Sequence, residues 1–356
     1  MDPFLNETKG TMNLMNKHCS LLMLALALIL SLSLSVALPS GAVTGEAQER
    51  YFEALSDEEW LEEDDFDEEA SIRPRAVLAS AVYSDILPAA NVQGLEMDLF
   101  TPGSDPIAEN FTENGYRDDT IIVEMEKQRM YDSDVFIAYV KIATPSQLRT
   151  AVAGKKIGAT STNHTSKISA NYNGIVAING DYFTKTKAGY IVRMGQTYRE
   201  KTSKNMDLLL IDEMGDFHLL LRGHDNQKNE LAVFLSEHTI VNGFFFGPAL
   251  VKDGEKLEIP SGYQFDPSNK NPRAGIAQLD TLTYALVVVN GRTEASSGVT
   301  MAEFADVMAQ LGAQQAYNLD GGNSATLAFN GEVYNDKPQA ERSVTDIIYF
   351  ASAIDH

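Results

Sequence analysis

Ala313-Gln314-Gln315-Ala316-Tyr317-Asn318-Leu319-Asp320-Gly321-Gly322-Asn323-Ser324-Ala325-Thr326-Leu327-Ala328-Phe329-Asn330-Gly331 contains two short apolar runs around a glycine pair. Ala313–Tyr317 has the length of a strand. Leu327–Phe329 reads as a second strand, and Asn330-Gly331 is a strong two-residue hairpin signal. A carboxylate, Asp320, therefore sits where a strand ends, followed by Gly321 and Gly322 and then by amide and hydroxyl side chains. Glycines here let the backbone approach a ligand closely or take positive φ. Their N–H groups, with Ser324, could also face an anion. Alone, Asp-Gly-Gly reads first as a tight turn, so its neighbours decide what it is.

Working outward, Ile121–Met130 and Val135–Ala143 are β-rich and joined by the polar turn Tyr131–Asp134. Pro145 predicts a short helix over Ser146–Ala153. Gly174–Ile178 reads as a strand ending at Asn179-Gly180-Asp181. Leu208–Ile211 and Phe217–Leu221 read as a hairpin, and Thr283–Val289 as a strand that turns at Asn290-Gly291. Thr300–Leu311 is the clearest helix: Thr300 and Glu303 have capping-box spacing, Phe304, Val307, Met308 and Leu311 share a face, and Gly312 ends it. The pattern predicts an α+β fold, a mixed, hairpin-rich β-sheet core with a few packed helices.

The 356 residues carry a net charge of −22, unevenly spread. Glu46 to Glu69 holds thirteen acidic residues against one basic, Arg50. A nucleic-acid partner would need clustered Lys and Arg, and is excluded. Lys17 and His18 precede an apolar run, Leu21–Leu38, with small residues after it, so 1–40 reads as a cleaved export signal, with an uncleaved membrane anchor as the competing reading. Residues 41–75 read as an acidic solvated linker and 76–356 as the folded domain, with its core over 120–352. The expected location is secreted or cell-surface, with membrane contact only through an uncleaved anchor. Cys19, the sole cysteine, precedes the apolar run, so the exported part has no disulfide and no thiolate metal site.

Four more segments pair a strand end with glycine, an amide or a charge: Ile178-Asn179-Gly180-Asp181-Tyr182-Phe183, Phe246-Gly247-Pro248-Ala249-Leu250, Asn271-Pro272-Arg273-Ala274-Gly275 and Glu341-Arg342. In this order, with Asp-Gly-Gly before the final Glu-Arg, they resemble the signature of the phosphodiester glycosidase family, over about residues 120–352 and more weakly back to about 80. The likeness points to the family's exported bacterial members. Where the family usually reads Asp-Gly-Gly-Gly-Ser-Ser-Thr, this chain has Asn323 for the third glycine and Ala325 for a serine. Asn is the side chain most tolerant of positive φ.

The resemblance implies hydrolysis of a sugar C1–O–phosphate bond in a glycosyl phosphodiester, such as a cell-envelope or extracellular polysaccharide. Phosphate is already a good leaving group, so charge stabilisation can replace much of the protonation that an ordinary glycosidase needs. On this reading Asp320 is the nucleophile or general base, Asp181 a partner base or sugar-hydroxyl ligand, and Arg273 a two-bond phosphate clamp. Arg342 is a second clamp, oriented by Glu341. Asn179 and Asn323 suit sugar hydroxyls, Gly180 lines the substrate site, and Gly321, Gly322 and Ser324 complete the anion site. Each has a plainer reading: turn capping for the aspartates and Asn179, an exposed ion pair for Glu341 and Arg342.

Nothing in the pattern demands a cofactor. Asp320, Asp181 and nearby carbonyls could hold Ca²⁺ or Mg²⁺, although no twelve-residue calcium loop is present. His164, His218, His224 and His238 show no paired metal spacing and read as surface or core histidines. Gly322–Thr326 lacks the last glycine of a serine-hydrolase elbow. A non-catalytic glycan-binding or envelope-associated protein on the same fold is the alternative, motivated by Asn323 and the acidic segment.

Overall fold

Strand Thr283–Val289 is apolar at nearly every position because both of its faces are covered. Tyr284, Leu286 and Val288 join one core and Ala285, Val287 and Val289 another, as the two-residue period of a strand requires. A computed structural model describes residues 94–337 and 340–355, which fall in one compact unit. The expected export signal and the whole of the expected acidic linker lie outside the described residues. Among the described residues, no helix is long and apolar enough to cross a membrane.

Nineteen strands form three antiparallel sheets, with three α-helices among the described residues. The nine-stranded central sheet contains Ile121–Met130, Ser133–Ile142, Thr283–Val289, Arg273–Asp280 and Gln315–Leu319 as adjacent strands. A second sheet of five carries Leu208–Asp212, Phe217–Leu220, Ile240–Phe244, Gly189–Arg193 and Gln196–Lys201. The third, also of five, orders Glu332–Val333, Leu327–Phe329, Gly174–Asn179, Asp346–Ala351 and Leu148–Val152. The larger core draws on all three sheets, from Val123 and Phe136 through Leu209 and Ile211 to Ile178 and Ile348. The fold is α+β, dominated by sheet.

Helices α1 (Thr165–Asn171), α2 (His224–Glu237) and α3 (Met301–Gln310) complete it. The expected helix appears as α3, with the capping box formed: Glu303 N donates to Thr300 Oγ1 at 3.2 Å, and Thr300 N to Glu303 Oε2 at 2.7 Å. Phe304, Val307 and Met308 pack on the second face of the central sheet. The hairpin at Asn330-Gly331 also forms, both residues at positive φ.

One expectation fails. Ser146–Ala153 is not a helix: a single 3₁₀ turn, Pro145–Gln147, leads into strand Leu148–Val152. That strand pairs with Asp346–Ala351 (Ile348 opposite Thr150), and all five of its residues are buried. Tertiary pairing outweighs the local helix signal. Helices α1 and α2 were not legible; α2 has apolar residues only in its last two turns.

Candidate functional site

Strand Gln315–Leu319 of the central sheet and strand Gly174–Asn179 of the third sheet end side by side. Asp320 N donates to Gly180 O (3.4 Å), and Asn179 Nδ2 donates to Asp320 O at 2.7 Å. Asn179 Oδ1 accepts from Thr326 N (3.1 Å). Asn179 is fully buried, so it fastens the two strand ends together and does not reach a sugar hydroxyl, contrary to expectation. A Cβ on Gly180 would lie 2.4 Å from Asp346 Oδ2, and one on Gly321 2.7 Å from Pro272 O. Both glycines therefore permit close approach. Gly322 takes positive φ (59°), and its N–H donates to Pro272 O at 2.9 Å. That N–H is spent inside the turn and is not offered to an anion.

Asp181, the expected partner base, is wholly engaged. Its Oδ1 accepts from Arg193 Nη2 at 2.8 Å and from Phe183 N at 3.2 Å, and its Oδ2 from Phe245 N at 2.8 Å. Arg193 also donates from Nη2 and Nε to Asp346 Oδ2 (2.8 and 2.9 Å), from Nη1 to the carbonyls of Val192 and Gly243, and lies over the rings of Phe183 and Phe244. One cation thus serves two carboxylates with no exposed surface on any of the three side chains. Burial raises the Asp346 carboxyl to about 7, with Arg193 opposing that rise and Asp181 adding to it. With both oxygens committed, Asp181 does not suit a Ca²⁺ or Mg²⁺ site with Asp320.

Asp320 differs. It is half-buried. Burial raises its carboxyl above the usual range, and the Ser324 hydroxyl and the Arg342 charge pull the other way. Ser324, itself buried, thus steadies this carboxylate. Asp320 and Arg342 both border two neighbouring cavities. The larger, about 300 Å³, is also bordered by Phe246, Phe265, Asn318, Arg273, Arg292 and Asn323. The smaller, about 130 Å³, also meets Gly180, Asp181, Tyr182, Lys185 and Ser343.

Arg273 borders the larger cavity but is built into its wall. Its Nε donates to Val299 O (3.1 Å), Nη2 to Asp266 O and Asn269 O (2.9 Å each), and Nη1 to Phe265 O (3.4 Å). Burial brings the guanidinium down to about 10. A parallel two-bond grip on phosphate is not free in this arrangement. Arg273 instead holds the loop where Phe265 and Asp266 take positive φ, with Phe265 stacked on Phe246 at 4.2 Å.

Arg292, which sequence reasoning missed, also borders the larger cavity. It is exposed, at positive φ (64°), and donates to Asn271 Oδ1 (2.8 Å from Nη2) and to Asn323 Oδ1 (3.3 Å). Asn323 therefore orients an arginine at the cavity. Lys337 holds the same turn from behind, donating to Asn323 O and Thr326 Oγ1 (2.9 Å each), and burial lowers its ammonium to about 8. Glu341 does not orient Arg342; its carboxylate accepts from Ser166 N and Ser166 Oγ (3.0 and 2.7 Å) and so docks its segment against α1.

A strand-end carboxylate between two cavities, with Arg342 bordering both and Arg292 the larger, accompanies a sequence pattern that matches over residues 172–351. The chain belongs to the phosphodiester glycosidase family. The match begins inside the region expected from the resemblance, leaving the strands from Ile121 to Val152 outside it. The SPbeta prophage-derived uncharacterized protein YomE of Bacillus subtilis (strain 168) is 33% identical over 108 residues, covering 30% of this chain and 17% of YomE. The chain thus spans less than a fifth of that relative. Among solved structures, the zebrafish N-acetylglucosamine-1-phosphodiester alpha-N-acetylglucosaminidase catalytic domain, auto-inhibited by its pro-peptide, superposes with a TM-score of 0.52 at 15% identity, over 70% of this chain and 87% of that one. That likeness concerns the fold.

Proposed function

We propose that this protein is an exported hydrolase that cleaves the sugar C1–O–phosphate bond of a glycosyl phosphodiester in a cell-envelope or extracellular polysaccharide. The observation that carries the proposal is Asp320: a half-buried carboxylate on the wall between two cavities, facing the charge of Arg342. In this reading Asp320 meets the anomeric carbon as nucleophile or general base. Arg342 and Arg292 bind the phosphate and stabilise the charge that grows on its oxygens as the C1–O bond breaks. Phosphate leaves as an anion, so no protonated side chain is needed at the departing oxygen. Phe265, exposed at the rim, offers a sugar ring an apolar face. Asn318 is buried beside the cavity, and among the described residues its Oδ1 has no hydrogen-bond partner, a state that a sugar hydroxyl would relieve.

The test is turnover of aryl and methyl sugar-1-phosphate diesters by the wild-type protein and by Asp320→Asn. Release of free sugar and phosphate monoester by the wild type alone is the expected result. Retention of glycan with no product would favour the non-catalytic glycan-binding alternative. Equal turnover by both proteins would remove Asp320 from the reaction.

A further inference from the structure

Asp212 ends strand Leu208–Asp212, His218 lies on its hairpin partner Phe217–Leu220, and His238 follows the last residue of α2. No sequence spacing links the three, since each comes from a different element. In the fold, His218 Nε2 lies 2.9 Å and His238 Nδ1 3.1 Å from Asp212 Oδ2. The three ligand atoms all lie within 4.8 Å of one another. The carboxylate is aimed from behind, because Asp212 Oδ1 accepts from Met214 N and Asp216 N at 2.9 Å each. Phe234 packs against both imidazoles, at 4.8 Å from His218 and 5.0 Å from His238, and sets their planes.

We propose that Asp212, His218 and His238 form a binding site for a Zn²⁺-class divalent cation. Two imidazole nitrogens and one carboxylate oxygen converging from three elements make the three-protein-ligand set that an open Zn²⁺ site uses. Donors about 2.0–2.1 Å from Zn²⁺ at the tetrahedral angle stand roughly 3.3 Å apart. The two N···O separations here lie a few tenths of an ångström inside that spacing, so small rotamer changes would open the site. Imidazole with carboxylate selects Zn²⁺ or a similar transition metal over Ca²⁺ or Mg²⁺. Both histidines border a cavity of about 470 Å³, together with Glu237, Lys252 and Asp253, which leaves space for a further ligand. Asp320 does not border it. Bound metal would fasten the end of α2 to the hairpin.

The experiment is calorimetric titration of chelator-treated full-length protein with ZnCl₂, together with thermal melts and the visible spectrum of the Co²⁺ form. One Zn²⁺ per chain is expected, with a raised Tm and a Co²⁺ spectrum of low coordination number. His218→Ala and His238→Gln should each weaken binding by at least the roughly 10–100-fold that losing a mere outer-shell partner costs, while Asp320→Asn binds as the wild type does. His238 follows the last residue of α2, whereas His218 lies within a sheet strand, so its variant retains the fold if His218→Ala does not. Failure of the wild type to bind, or binding unchanged in His238→Gln, overturns the proposal. Loss of binding in Asp320→Asn would move the metal to the hydrolytic site and overturn it as well.

Discussion

Two aspartate–arginine pairs flank the same glycine, and they have opposite fates. Asp181 and Arg193 have no exposed side-chain surface and spend their hydrogen-bonding groups on each other, on Asp346 and on the backbone. Asp320 and Arg342 stand at the cavity wall, where the carboxylate is half-buried and the guanidinium exposed. The chemistry of the side chains is the same, and what differs is how many donors and acceptors remain uncommitted. A fully satisfied ionic cluster specifies structure. A carboxylate held with capacity to spare can meet a substrate.

The contrast predicts that substitutions on the two sides produce exchanged symptoms. Asp320→Asn is expected to lower kcat by about 1,000-fold or more and to change folding stability by less than about 1 kcal/mol, measured by steady-state kinetics and urea unfolding. Arg193→Met should do the reverse. It strands two buried carboxylates and should cost roughly 3–5 kcal/mol of stability; a urea midpoint close to wild type would show that the cluster is not structural.

Arg342→Ala should raise KM by about 10–100-fold through loss of a charge-assisted contact to phosphate. It should also move the acid limb of kcat/KM to higher pH, because the Arg342 charge favours the ionised form of Asp320. An unmoved limb would mean that Arg342 does not act on this carboxylate.

The last test concerns Asp346 and reads stability against pH. Its carboxyl, at about 7 in the fold against an ordinary 3.8, keeps a proton that the unfolded chain has released. Its contribution to stability is therefore fully present below about pH 4 and is lost as pH rises through about 7. Asp346→Asn should flatten the fall in urea midpoint between those values, leaving the share of Asp320, which has the same sign.

Much of the sheet could be read from sequence, because strands such as Thr283–Val289 and Leu327–Phe329 carry their period and turn residues in consecutive positions. Helix α3 announced itself through its cap and its apolar face. The residues 148–152 did not, since what makes them a strand is a partner some 200 residues away. The site divides in the same way. Motif order brought Asp320 and Arg342 to attention, and both do border one cavity. The commitments of Asp181, Arg273 and Asn179 depend on Arg193, on the carbonyls of the 265–269 loop and on Thr326, none of which is adjacent in sequence. Arg292 carries no motif and gains its place only from the loop between Val289 and Thr300.

The clamp made by Asn179 also bears on how the molecule ages. Asn-Gly is the dipeptide most prone to lose ammonia, because the glycine nitrogen can attack the asparagine side-chain carbonyl and close a cyclic imide. At 179–180 this closure is blocked at both ends: the Gly180 N–H is given to Asp346 O, and the Asn179 amide donates to two carbonyls and accepts from Thr326. The same dipeptide at 330–331 sits in an exposed turn with no such side-chain bonds among those of the described residues. Chemical wear should therefore reach the 330–331 turn well before the pair that joins the two strand ends beneath Asp320.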